Sequence, residues 1–281
     1  MKSLNVEREG FMKTGERIKI ILIIVFCVLL DVFLHMLTAP YGTIPDNPAL
    51  SVISQMIGVE ATASFWALLA FSVVAFVYWR IRDDIPGKNV GKGMRYGTVV
   101  ASLWFLGMLE GVSLFGNPII KEVIVGLSDA IPVFLMCLLL SLVSTAKDSV
   151  HYQATLFPRQ TCKVISLFAV QFLAGRYIAY STGAIKSGIH DMPLETFAWT
   201  LLVGIAIGSS FVLLGNYRHA KSMIHRAGRF SFLIFGMNWA VFLVFMPILF
   251  SGYTTDVFIR IVLDTTLVMI ASCWTNNNVK K

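Results

Sequence analysis

Charge is scarce in this sequence. Asp, Glu, Lys and Arg make up 14% of its 281 residues, against about 25% in an ordinary soluble domain. With 56% hydrophobic residues beside them, too little polar side chain remains to wet the outside of a soluble fold. Cysteine is scarce as well. Cys27, Cys137, Cys162 and Cys273 form no CxxC, and three of them lie inside apolar runs. That excludes a disulfide framework and a zinc site of the usual spacing, and leaves buried thiols that behave as small hydrophobes. Catalytic signatures are missing too: no GxxxxGK[ST], HExxH or GxSxG occurs, so the chain offers neither a P-loop nor a familiar hydrolase motif. Basic residues interleaved with aromatics, as in a nucleic-acid groove, do not occur either.

Long apolar runs are what the sequence does have. About eight segments, near 18–39, 62–80, 96–115, 119–144, 162–181, 196–215, 230–250 and 255–274, approach the ~20 residues that cross a hydrocarbon layer as helix. The fold class that follows is all-α, a polytopic membrane helical bundle. The first run follows a basic tail, as a signal peptide would, but continues through Phe33, Leu34 and Met36 without a small-residue cleavage pattern; a retained first span is expected.

Basic residues crowd into the N-terminal tail and the even-numbered connections, all but Lys121, Lys186, Arg176 and Arg260. By the positive-inside rule both termini are cytoplasmic in a cell membrane. The net charge of +7 then marks the rim that meets anionic lipid.

The chain also repeats itself. "DVFLHMLTAPYGT" (31–43) lies against "VQFLAGRYIAYST" (170–182), "IPDNP" (44–48) against "IHDMP" (189–193), and "FWALL" (65–69) against "AWTLL" (198–202). Trp104 and Trp239, Phe115 and Phe250, and Asp129 and Asp264 are separated by one common interval. The expected organisation is a basic tail (1–17), a first four-helix half (18–145), a cytoplasmic linker (146–161), a second four-helix half (162–275) and a short tail (276–281). Four spans per unit make this a parallel repeat about an axis along the membrane normal, an arrangement that transporters use with the substrate site where the halves meet.

Within "GLSDAIPVFLMCLLL" (126–140) sits Asp129. An ionisable group near the bilayer centre costs about 2.5–3.5 kcal/mol on insertion scales, so it faces protein or water. The embedded set is Asp31, His35, Glu110, Asp129, Arg176, Arg260 and Asp264, with Gln171 and Asn238 as weaker members. At about 1.5 Å of rise per residue, each of the seven ionisable residues falls within roughly 15 Å of the outer surface. Asp31 with His35, and Arg260 with Asp264, are spaced to pair along one helix face. Pro132 cannot donate to the Ser128 carbonyl, which leaves an acceptor beside Asp129. Asp31 and His35 could supply two metal ligands, with Asp129 or Glu110 completing a set, but no fixed motif supports this; the reading calls for no metal and no cofactor.

The functional expectation is a permease whose acidic polar cavity opens outward between the halves and binds a small or cationic solute or ion through these seven residues. It could be proton-coupled, or the membrane subunit of a pump, with a separate ATPase or partner subunit docked on the basic loops 80–95 and 215–229. Two alternatives stand beside it. One is a non-catalytic sensor, immunity or assembly protein. The other is a lipid-active enzyme at the outer interface, with Glu110 or Asp129 as acid or base and Arg176 holding a head group.

Overall fold

A computed structural model describes residues 14–42, 49–144, 158–215 and 222–278. It is all helical, with 85% helix and no strand among the described residues. Spans one to six are α1 (Thr14–Thr38), α3 (Val59–Ile81), α4 (Asn89–Phe115), α5 (Ile119–Val143), α6 (Pro158–Ser181) and α7 (Pro193–Leu213). Span seven is composite: α8 (Met223–Gly228), a π-helical stretch (Arg229–Gly236), α9 (Met237–Leu243) and α10 (Phe245–Leu249). Span eight is α11 (Thr254–Asn278), and the short α2 (Val52–Ile57) lies in the first connection. These are 8 helices long and apolar enough to cross a membrane, so the chain is a multi-pass membrane protein. The tail to residue 13, "IPDNP" at 44–48, residues 146–157 of the expected linker, 216–221 and 279–281 lie outside the described residues.

Eight alternating crossings bring residues 14 and 278 to one face, the terminal face. Arg82, just past span two, pairs there with Glu16 of span one over 3.1 Å. The connections after spans one, three, five and seven lie at the opposite face. Span four begins where the apolar pattern predicts, but span three begins well before residue 96. A turn at Pro86 and Gly87 (φ 103°) releases the chain into helix at Asn89, and Lys92 is buried within it. Arg95 donates to the Leu213 carbonyl at the end of α7 over 3.0 Å, where terminal carbonyls lack helical donors and favour a cation. Half of the expected basic loop 80–95 is therefore helix. In span seven Pro247 has no N–H for the Leu243 carbonyl, and the helix breaks between α9 and α10.

Span one packs on spans two and four, and span three on four; span five packs on six and eight, and span seven on eight. Between these two sets, span three meets six and span two meets seven. The centre is aromatic: Trp66 stacks edge-on against Phe245 with centroids 4.8 Å apart, and Phe242 lies 5.8 Å from Trp104 and 5.6 Å from Trp239. Span one is peripheral, with only 17% of its most apolar stretch buried against 56% for span four. Leu22, Leu29 and Met36 on span one, like Ile178 and Phe258 elsewhere, face outward, as lipid-contacting side chains do.

Without a hydrophobic drive between helices in lipid, small residues set how close backbones come. Gly204 and Gly208 of span six do this against span five. A Cβ at Gly204 would stand 2.8 Å from Ala169 Cα, and one at Gly208 2.8 Å from Ile165 Cα. Backbone cannot yield as a side chain can, so Gly208→Val should cost about 1–3 kcal/mol by overpacking. Gly91, with nothing within 4 Å of its would-be Cβ, should gain roughly 0.5–1 kcal/mol as Gly91→Ala. Denaturant unfolding in detergent checks both; equal effects of the two substitutions would mean that spans five and six do not meet this closely.

Candidate functional site

The seven residues singled out in the sequence fall into two groups near the opposite face, and no hydrogen bond or ion pair among the described residues joins one group to the other. The larger group lies where spans three, five and eight converge. Arg176 of span five is wholly buried. Its Nε donates to Asp264 Oδ1 over 2.7 Å and its Nη2 to Asp264 Oδ2 over 2.5 Å, the bidentate geometry that a planar guanidinium makes with a carboxylate. Its remaining nitrogen, Nη1, reaches Glu110 Oε1 of span three at 3.2 Å and the Tyr180 hydroxyl at 3.3 Å. Trp199, Phe172 and Tyr180 surround the guanidinium, with centroids 5.1, 5.4 and 6.0 Å from its carbon. Trp239 Nε1 adds a donor to Asp264 Oδ2 over 2.8 Å.

Arg260 extends this network toward the opposite face. Its Nη1 donates to Glu110 Oε1 over 2.5 Å, its Nε to Asp256 Oδ2 over 2.6 Å, and its Nη2 to the Lys186 carbonyl. Glu110 therefore accepts from two arginines at once, although its own span offers it no partner. Asp256 also accepts from the Lys186 backbone N–H over 2.7 Å, which ties the connection between spans five and six onto the cluster. Gly188 in that connection lies so close to the Ser113 carbonyl that a Cβ would overlap it.

The pairing of Arg260 with Asp264 that the spacing suggests does not form. Side chains on a helix lean toward its N-terminus, so Arg260 reaches Asp256, four residues before it. Asp264, facing span five, is left to Arg176. The result is three acids and two bases, all partnered and nearly closed to solvent.

The smaller group joins spans one and four. His35 Nε2 donates to Asp129 Oδ1 over 3.1 Å, so the histidine bonds across spans and not to Asp31 on its own helix. Asp31 and Asp129 are buried, and the His35 side chain is 37% exposed. One ligand atom from each of the three lies within 4.8 Å of the others. One turn on, the Thr38 and Ser128 hydroxyls stand 3.2 Å apart, and Ser128 also donates to the Ile124 carbonyl over 3.2 Å.

Of the weaker members, Asn238 takes a hydrogen bond from the Tyr96 hydroxyl at 3.1 Å and donates to the Ile234 carbonyl at 2.6 Å; Gln171 is half-buried. Sequence reading missed Glu122, which is buried and accepts from Asn117 Nδ2 over 2.6 Å, although it lies inside the apolar segment 119–144. It also missed Asp256, whose four-residue spacing to Arg260 was visible, and the buried Lys92.

Comparison with known protein families, curated proteins and solved structures finds no match for this chain.

Removing one partner of a buried ion pair strands the other and costs about 3–5 kcal/mol. Asp264→Asn, which leaves the wholly buried Arg176 without its two-point acceptor, should fall in that range. Glu110→Gln should cost less, since each arginine keeps a carboxylate. Thermal unfolding in detergent decides; if Glu110→Gln were the more damaging, Glu110 would be the keystone of the cluster.

Proposed function

We propose that this protein is a membrane permease of two related four-helix halves, which moves a small or cationic solute or ion between them. The observation that carries this reading is the way the halves meet. Trp66 Nε1 of span two donates to the Val241 carbonyl of span seven over 2.8 Å, and Trp199 Nε1 of span six to the Leu106 carbonyl of span three over 2.6 Å. The duplicated segments align Trp66 with Trp199, and the common interval aligns Leu106 with Val241. The two bonds therefore exchange under a two-fold axis along the membrane normal, as do the contacts of span three with six and of two with seven. A closed pair of like halves is the geometry on which alternating access by rocking depends.

Ionic ties cross this boundary at both ends. At the opposite face Glu110 of the first half meets Arg176 and Arg260 of the second. At the terminal face Asp84 pairs with Arg229, beside a small crevice of about 10 Å³ lined by Ile81, Ile85, Leu214 and Ile234. Under the orientation that the basic loops favour, the Glu110 cluster is the outer gate and Asp84–Arg229 the inner one. Rocking would release one while the other holds. The acidic cavity expected between the halves corresponds, in this reading, to a space that opens when Glu110 lets go of its arginines.

A second reading, a non-transporting sensor or assembly protein, is favoured by one observation: the Glu110 cluster is fully partnered, as a permanent fastening would be. The lipid-enzyme reading is weakened because Asp264 already occupies the guanidinium fork that a head group would need.

Flux in proteoliposomes separates these readings. With an entrapped pH dye and with uptake of choline and Mn²⁺ as probes, the protein should pass at least one of them. In a background lacking Cys162 and Cys273, a short bifunctional thiol cross-linker between Asp84→Cys and Arg229→Cys should arrest that flux, and reductant should restore it. No flux for any probe, together with a partner that co-purifies in fixed ratio, would favour the second reading. Flux that persists through the cross-link would mean that the halves do not move apart there.

A further inference from the structure

We infer that Asp31, His35 and Asp129 form a binding site for one divalent transition-metal ion of the zinc and manganese class. Two independent observations converge on it. First, spans one and four bring a carboxylate oxygen from Asp31, a ring nitrogen from His35 and a carboxylate oxygen from Asp129 within 4.8 Å of one another. His35 Nε2 and Asp129 Oδ1, at 3.1 Å, already stand near the spacing of about 3.3 Å that two ligands take around a tetrahedral ion with bonds of about 2.0–2.1 Å. Second, Asp31 is only 2% exposed, yet its Oδ1 has no hydrogen-bond partner. A buried carboxylate oxygen without a donor is costly, and the cluster sets a second acid and an imidazole beside Asp31.

Charge completes the argument. Two carboxylates and a neutral imidazole sum to −2, and no Lys or Arg of the described residues hydrogen-bonds to either acid. The Glu110 cluster, by contrast, sets two arginines among its three acids, and each of those acids pairs with at least one of them. A divalent cation would neutralise the smaller group in one step and give Asp31 Oδ1 a partner.

The donor set narrows the choice of ion. One imidazole with two carboxylates suits zinc, manganese or iron, whereas calcium and magnesium take oxygen ligands. Thr38 and Ser128 offer hydroxyl oxygens one turn away. The exposed flank of His35 leaves a route for the ion and room for a water ligand. The site rests on its own geometry and needs no movement of the halves: binding without flux would remove the permease and keep the site, and flux of choline alone without metal binding would do the reverse.

The experiment uses the full chain, purified in detergent and stripped with chelator. Titrated Co²⁺ should give visible d–d bands at one equivalent, Zn²⁺ should displace it, and Mg²⁺ should not. Asp31→Asn, which leaves the His35–Asp129 bond intact, should weaken Co²⁺ binding at least tenfold. Unchanged binding in that variant, or no bands with the wild type, overturns the proposal; the latter would mean that the group holds only protons. A second measurement needs no variant. Zn²⁺ should protect His35, but not the exposed His190, from diethylpyrocarbonate, read by peptide mass spectrometry. Equal modification of His35 with and without Zn²⁺ also overturns it.

Discussion

A guanidinium with no solvent exposure, in the interior of a membrane bundle, is the constraint around which the second half of this protein is arranged. Arg176 cannot lose its charge, so burying it requires an acceptor of matched shape and further groups to stabilise what remains. Asp264 supplies the two-point acceptor, Glu110 a third, and Trp199, Phe172 and Tyr180 the π faces, with cation–π attraction of about 2 kcal/mol or more where water is excluded. These groups come from spans three, five, six and eight, and Trp239 of span seven completes Asp264. No pair of helices could meet the demand alone. One arginine therefore determines how five spans are placed around it, and it does so at the seam where span three meets span six.

Much of the architecture is legible in the sequence because oil imposes few choices. A hydrocarbon layer admits only backbone that satisfies itself, so apolar length translates directly into helices, and the count of eight follows. The ends of spans are less legible. The stretch 89–95 reads as a basic loop because it carries Lys92 and Arg95, but the helix accepts both, one buried and one on the carbonyls of α7. Which polar residues matter is legible from depth alone; which partners they take is not. Arg260 stands four residues from an acid on either side, and only the lean of helical side chains and the prior claim of Arg176 on Asp264 decide between them. Long-range pairings such as His35 with Asp129 leave no local trace in the chain.

The two polar groups differ in a way that charge makes plain. Around Arg176 and Arg260 every carboxylate has a cationic partner, and the cluster is closed. Between spans one and four, two acids share one histidine, an acid oxygen lacks a donor, and one flank stays open. A cluster whose acids are all paired with cations and closed to solvent serves to fasten helices; acids with no cationic partner but with access suit a mobile cation. Asp129 and Asp264 thus differ in setting, the one facing a partly exposed imidazole and the other a wholly buried arginine.

That difference bears on how the permease proposed above would work. Under that proposal, two equivalent halves would put substrate chemistry on the axis between them. Instead the seam between the two sets of spans is filled with aromatic side chains and bounded by ionic ties at each end, while the open acidic group stands apart from it, against the peripheral span one. The most apolar stretch of span one is the least buried of the eight. An ion bound by Asp31 and His35 would therefore change the attachment of the most loosely held helix to span four, and through span four its packing on span three, which carries Glu110. In such a scheme the ion need not pass through the seam to act on it: occupancy at the rim would bias whether Glu110 holds its arginines, and the seam would respond.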